Sequence, residues 1–193
     1  VTINLEGVGA ISSLGSSTRA TVVASTAGIE SYQINSNGAA TNRAQFTLSP
    51  DTKTIKIAGS AGLSNTSIGG TSTNLTTIDA SAATGGISLD VSMARDLSIT
   101  GGDGNDSFTF AGNLTAADTI DGGAGTNTVS VTAAVAANVV LKNIQTLSLA
   151  ATSGTNVAVD LSQANLAAIT TVSNSSTGTP SLTNATPGVH TLS

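Results

Sequence analysis

Two glycine-rich stretches, GGDGNDSFT at 101–109 and GGAGTNTVS at 122–130, constrain this chain more than anything else in it. Each reads as a tight turn followed by a short strand, on the nonapeptide pattern G-G-x-G-x-D-x-U-x in which U is a large apolar residue. Gly101, Gly102, Gly104, Asp106 and Phe108 fill every defined position of the first copy. Gly122, Gly123, Gly125 and Val129 match in the second, where Asn127 stands in place of the Asp. The copies begin 21 positions apart, close to one coil of a β-solenoid of about 20 residues. The spacing therefore predicts two loops stacked on one edge of a solenoid.

The residue types in these loops suit a hard cation. Glycines permit backbone conformations closed to other residues and leave room for carbonyl oxygens to converge. A carboxylate at the end of such a turn completes an all-oxygen site, and calcium takes six to eight oxygens at roughly 2.3 to 2.6 Å. Asp103 lies in the first loop, and Asp118 and Asp121 stand just before the second. The candidate ligands are Gly102, Asp103, Gly104 and Asp106 from the first loop and Asp121, Gly123, Gly125 and Asn127 from the second. An Asn at the last position keeps one oxygen and loses the charge. Gly-Gly and Asn-Asp pairs are also ordinary turn punctuation, so a plain turn is the competing reading.

Composition favours repetitive β-structure. Hydrophobic residues make up 39% of the chain, enough for a core, but only 9% are charged and 2% aromatic, against about 25% charged in typical domains. The core vocabulary is Val, Ile and Leu, interleaved with Thr, Ser, Ala, Gly and Asn. Disordered chains show the opposite balance, with few β-branched residues and much charge. Alternation of apolar and polar residues predicts strands at Val1–Leu5, Ile29–Ile34, Phe46–Leu48, Thr54–Ile57, Leu75–Asp79, Ile87–Val91, Leu97–Ile99 and Phe108–Phe110. It continues at Val129–Val131, Val139–Leu141, Ile144–Leu149, Val157–Leu161 and Ile169–Val172, and more weakly around Leu182 and Val189. Ser162–Ile169 could make one or two helical turns. Gly7–Ala27 and Gly59–Thr73 carry less pattern and read as protruding loops.

Short strands joined by short turns allow a sandwich, a barrel or a solenoid, and the repeated loop favours the solenoid. The expected fold is all-β, a right-handed parallel β-helix or β-roll with Gly-rich turns and about nine or ten coils. Residues 1–193 read as one solenoid segment of a longer chain, less regular over 1–74 and more regular over 75–193.

The region from about Leu75 to Val172, with DTIDGGAGTNTVSV, IQTLSL and VAVDLSQANLAAITTV, resembles the RTX-type surface-layer (S-layer) proteins of Gram-negative bacteria. What that resemblance implies is a calcium-binding β-solenoid, exported by type I secretion, that self-assembles into a lattice on the cell surface. It implies a structural protein whose partner is a second copy of itself, with cell-surface polysaccharide as a further candidate. The stalk of an RTX adhesin and the RTX tail of a secreted hydrolase are the alternatives. Only one loop is complete, whereas toxin-type members of the family carry long arrays.

Other chemistry finds little support. A net charge of −5 and six scattered basic residues argue against nucleic acid. No cysteine is present for a disulfide or thiolate site, and no apolar run reaches the roughly 18 to 20 residues of a membrane span. His190 is the only histidine and Glu6 and Glu30 the only glutamates; none has a partner pattern for catalysis. Tyr32 alternates with Ile29 and Ile34 and reads as part of a sheet face. Carbohydrate-active β-helices furnish their clefts with aromatic and basic side chains, and this chain has one Tyr, three Phe and no Trp, so a non-enzymatic role is expected. The six N-x-[ST] sequons, at Asn65, Asn74, Asn105, Asn113, Asn174 and Asn184, are what a Ser/Thr/Asn-rich chain produces by chance.

Overall fold

The computed structural model describes residues 1–9, 19–65, 68, 72–91, 95–111, 113–131, 136–149, 158–160, 169–174 and 181–183. Eighteen strands and no helix occur among them. In chain order they are β1 (Thr2–Glu6), β2 (Ala20–Ala24), β3 (Ser31–Asn37), β4 (Asn42–Leu48), β5 (Thr54–Gly59), β6 (Leu63–Asn65), β7 (Thr77–Ala83), β8 (Ile87–Asp90) and β9 (Ser98–Thr100). There follow β10 (Ser107–Phe110), β11 (Thr119–Asp121), β12 (Thr128–Val131), β13 (Ala136–Asn138), β14 (Val140–Lys142), β15 (Thr146–Leu149), β16 (Ala158–Asp160), β17 (Thr171–Asn174) and β18 (Ser181–Thr183).

Successive strands alternate between two sheets, and every pairing is parallel. One sheet runs β1-β3-β5-β7-β9-β11-β14 and the other β2-β4-β6-β8-β10-β12-β15-β17. A third sheet, β13-β16-β18, adds another side in the later part of the chain. This is a parallel β-solenoid, as the repeated loop predicts. Its two main sheets hold seven and eight rungs among the described residues, fewer than the nine or ten coils expected. At about 4.8 Å per rung, eight rungs span roughly 35 Å.

The core follows from register. Because side chains alternate across a strand, in-register parallel pairing stacks like positions into columns. In the first sheet Tyr32, Ile55, Ile78, Ile99, Ile120 and Leu141 form one inward column, and all six are buried. In the second, Leu89, Phe108, Val129 and Leu147 form another. Tyr32 is thus a core residue, its hydroxyl donating to the carbonyl of Ala24 and accepting from the Ser49 N–H at 3.3 Å. β-Branched side chains suit such columns, since their restricted χ1 rotamers repeat from rung to rung.

Two readings of the sequence need correction. The stretches expected to protrude each contribute a rung: Ala20–Ala24 pairs with β4, and Leu63–Asn65 lies between β4 and β8. Neither shows clean alternation, β2 because Val22 and Val23 are adjacent on opposite faces and β6 because it is three residues long. The helical turns considered for Ser162–Ile169 lie outside the described residues except at Ile169, as do Val189 and His190.

The column arrangement gives a direct test. Ile99→Ala empties a fully enclosed position and is expected to cost about 2–5 kcal/mol. Ser98→Ala, one residue away on the exposed face, is expected to change stability by less than about 0.5 kcal/mol. Urea unfolding of both variants checks the pair, and equal losses would contradict the inward and outward assignment.

Candidate functional site

The two glycine loops do stack. Ala124 N–H donates to the Gly102 carbonyl at 2.8 Å, and Thr126 N–H to Asn105 Oδ1 at 2.8 Å. The loops pack so closely that a Cβ added at Gly102 would strike the Ala83 carbonyl, and one at Gly104 the Gly86 backbone. The glycines therefore serve the approach of one coil to the next.

Asp106 does not open towards solvent. It is 2% exposed and stands one residue before β10, in register with Ile87 of the preceding rung and Asn127 of the following one. Its Oδ1 accepts the Ile87 N–H at 2.9 Å and its Oδ2 the Gly102 N–H at 2.8 Å. Asn127, also buried, repeats the first of these bonds: its Oδ1 accepts the Asp106 N–H at 2.9 Å. Gln145 does so again, its Oε1 accepting the Asn127 N–H at 2.6 Å. Near the other end of the same column Asn42 accepts the Val8 N–H at 2.8 Å. A row of side chains thus runs along one corner of the solenoid, each taking the N–H of the residue one rung before it.

The reason lies in the corner itself. Where the chain bends from one sheet to the other it leaves the regular ladder, and an N–H buried there without an acceptor costs about 1–3 kcal/mol. A short side chain with an oxygen, placed just before the next strand, supplies that acceptor. Leu63 and Ile87 occupy the column without such an oxygen. There the backbone of the next coil serves, the Asn42 N–H reaching the Gly62 carbonyl at 2.8 Å and the Leu63 N–H the Gly86 carbonyl at 3.2 Å.

A second buried carboxylate marks the opposite entry to the first sheet. Asp118 is fully enclosed just before β11. Its Oδ1 accepts the Leu97 N–H and its Oδ2 the Thr115 N–H, both at 2.7 Å. Burial pushes both Asp106 and Asp118 above the usual carboxylate range, with the N–H donors pulling the other way.

The sequence-derived ligand set is therefore only partly brought together. The Asp106 oxygens take the Ile87 and Gly102 N–H groups. Asn127 accepts one N–H at Oδ1 and donates through Nδ2 to the Ala124 and Asn143 carbonyls, so both side chains are engaged by the backbone. Asp121 Oδ1 accepts from the Gly123 N–H at 3.0 Å and from Asn143 Nδ2 at 2.7 Å. Asp103 is exposed on the first loop, and Gly102, Gly104, Gly123 and Gly125 line the stacked turns. Among the described residues no three acidic or histidine side chains gather as a metal cluster. Gln145, Asp118 and Asn42, absent from the ligand set, belong to the corner hydrogen bonding. Gln145 was findable, because DSFTF, NTVSV and QTLSL share one pentad led by an Asp, Asn or Gln.

Fold and corner together define a parallel β-solenoid with a buried polar ladder. Compared with known family models, curated proteins and solved structures, the chain matches none.

Two outcomes follow from the ladder. Asp106→Ala leaves the N–H groups of Ile87 and Gly102 without acceptors and is expected to cost about 2–5 kcal/mol by urea unfolding, with Asp106→Asn losing less because one of the two bonds survives. The pH dependence has a definite sign. A carboxyl whose folded value is raised binds more protons folded than unfolded, so the stability it contributes is full below about pH 4 and is lost as pH rises through the raised value. The melting temperature is expected to fall over that window, less steeply in the Asp106→Asn, Asp118→Asn double variant. A slope unchanged by both substitutions would show that these carboxyls do not set it.

Proposed function

We propose that this chain is a structural segment of a secreted bacterial surface layer, of the RTX type its sequence resembles. In this reading it works by packing side by side with its own copies. One observation carries the proposal. The outer face of the second sheet bears two in-register columns of hydroxyls, Ser107, Thr128, Thr146 and Thr171 in one and Thr109, Ser130 and Ser148 in the other. From β10 onward they form an uncharged surface, while on earlier rungs the same two columns carry Asp90, in register with Thr109, and Arg43, reached through Ser88 and Ser64. Over those later rungs the face has no charge to repel a second copy and presents the same groups about every 4.8 Å.

Calcium enters this proposal at the rim of the stacked loops, with Asp103 and the carbonyls of Gly102, Gly104, Gly123 and Gly125 as the groups that would hold it. It would neutralise the exposed acid and tie adjacent turns. Asp106, committed to backbone N–H groups, stabilises the fold with or without the ion.

Electron microscopy of the protein in millimolar calcium and after chelation tests the reading. Ordered sheets that disperse on chelation are expected; dispersed rods in both conditions would favour an adhesin stalk instead. Thermal melts separate the two roles. Asp103→Asn is expected to remove the calcium-dependent rise in melting temperature, while Asp106→Ala lowers the melt equally in calcium and in chelator. A calcium response that survives Asp103→Asn would move the ion elsewhere.

A further inference from the structure

The chain has six basic residues, and two of them share one place. Arg19 immediately precedes β2 and Arg43 is the second residue of β4. The β2–β4 register begins at Ala20 and Ala44, so Arg19 and Arg43 each stand one residue before that pair, on neighbouring coils, with the Arg43 N–H bonded to the Val8 carbonyl at 2.8 Å. Ala44 is buried on the inner face, and the alternation of the strand puts Arg43 on the outer one. The next rung of the Arg43 column carries Ser64.

This arrangement is unfavourable as it stands. Like charges on neighbouring coils repel. In addition, Nη1 of Arg19 and Nε of Arg43 are buried without a hydrogen-bond partner, and an unmet buried donor is costly. The Lys53–Glu30 ion pair involves neither arginine. Water could meet the donors but would leave the two positive charges uncompensated. A group with at least two negative oxygens does both tasks, because guanidinium forks match carboxylate and phosphate bidentately.

We infer that Arg19 and Arg43 form a binding site for an oxyanion, a phosphate or carboxylate group bridging the two guanidiniums, with the Ser64 hydroxyl on the adjoining rung. The group could come from a free ion or from an acidic polysaccharide, which the same fork would recognise through its repeated carboxylates. The inference rests on neither the surface-layer reading nor calcium: it does not use the glycine loops, and Arg43 and Ser64 stand at the early end of the column that becomes the hydroxyl column at Ser107.

Arginine Nε–Hε signals of the whole chain, followed by NMR, test it. Sodium phosphate and polygalacturonate are titrated separately against sodium chloride at equal ionic strength. Saturable shifts of the Arg19 and Arg43 signals are expected, with the Arg95 signal unmoved. Arg43→Gln is expected to weaken binding about tenfold or more. Saturation by phosphate alone assigns a free-ion site and by the polymer alone a polysaccharide site; either supports the inference. Shifts no larger than those in chloride, in both arms, would overturn it on the parent protein whether or not the variant folds, and so would full affinity in a folded Arg43→Gln.

Discussion

The backbone N–H left over at the corner of each coil is the constraint on which the rest of this structure depends. Inside the sheets, parallel pairing satisfies every rung by repetition. At the bend no such repetition is guaranteed, and the corner is too enclosed for water to serve freely. The Asp106, Asn127 and Gln145 side chains solve this by reaching back one rung to a main-chain N–H. Each bond links two coils, so the ladder also fixes the register of the stack. A slip of one residue would break the ladder and turn the inward column from Ile55 to Leu141 out to solvent.

That dependence explains what was legible in the sequence and what was not. The stacking of the two glycine loops could be read from their 21-residue offset, because a solenoid converts sequence period into spatial adjacency. Alternation located most strands, since columns of Ile, Val and Leu need it. Rungs such as Leu63–Asn65 were not readable, because a three-residue strand is held by its neighbours and needs no pattern of its own. The orientation of Asp106 was also hidden. Whether a loop carboxylate turns outward to an ion or inward to an N–H depends on what lies one coil away, and the Ile87 N–H enters only once the register is known.

Stacking in register also accounts for the chain's poverty in charge. Any residue on an outer face meets its counterpart about 4.8 Å above and below, so a column of one charge would repel itself along its whole length. Hydroxyls avoid this. On the first sheet two opposite-sign pairs fall on adjacent rungs: Lys56 is in register with Asp79, and Asp121 with Lys142. The exposed Lys53–Glu30 pair is another such neighbour, at 2.6 Å, and exposed pairs of this kind contribute less than about 1 kcal/mol. Arg19 and Arg43 depart from the rule, which is why their pairing calls for an outside charge.

The difference between Asp106 and Asn127 shows how one atom reshapes a turn of almost the same sequence. Both side chains accept the N–H of the rung before, and they differ only in the second atom of the head group. In Asp106 that atom is an acceptor, and the turn answers with a donor, the Gly102 N–H. In Asn127 it is a donor, and it meets acceptors, the Ala124 carbonyl of its own turn and the Asn143 carbonyl of the next coil, at 2.9 Å each. To bring a carbonyl where the first loop brings an N–H, the peptide units of the second must rotate. Gly123 and Gly125 lie at φ +74° and +78°, whereas Gly102 and Gly104 stay outside the left-handed region. Glycine is thus required in the two loops for different reasons, close approach in the first and left-handed backbone as well in the second. The substitution of Asn for Asp, which reads in the sequence as a weakened metal ligand, is in the fold a matched change of partner.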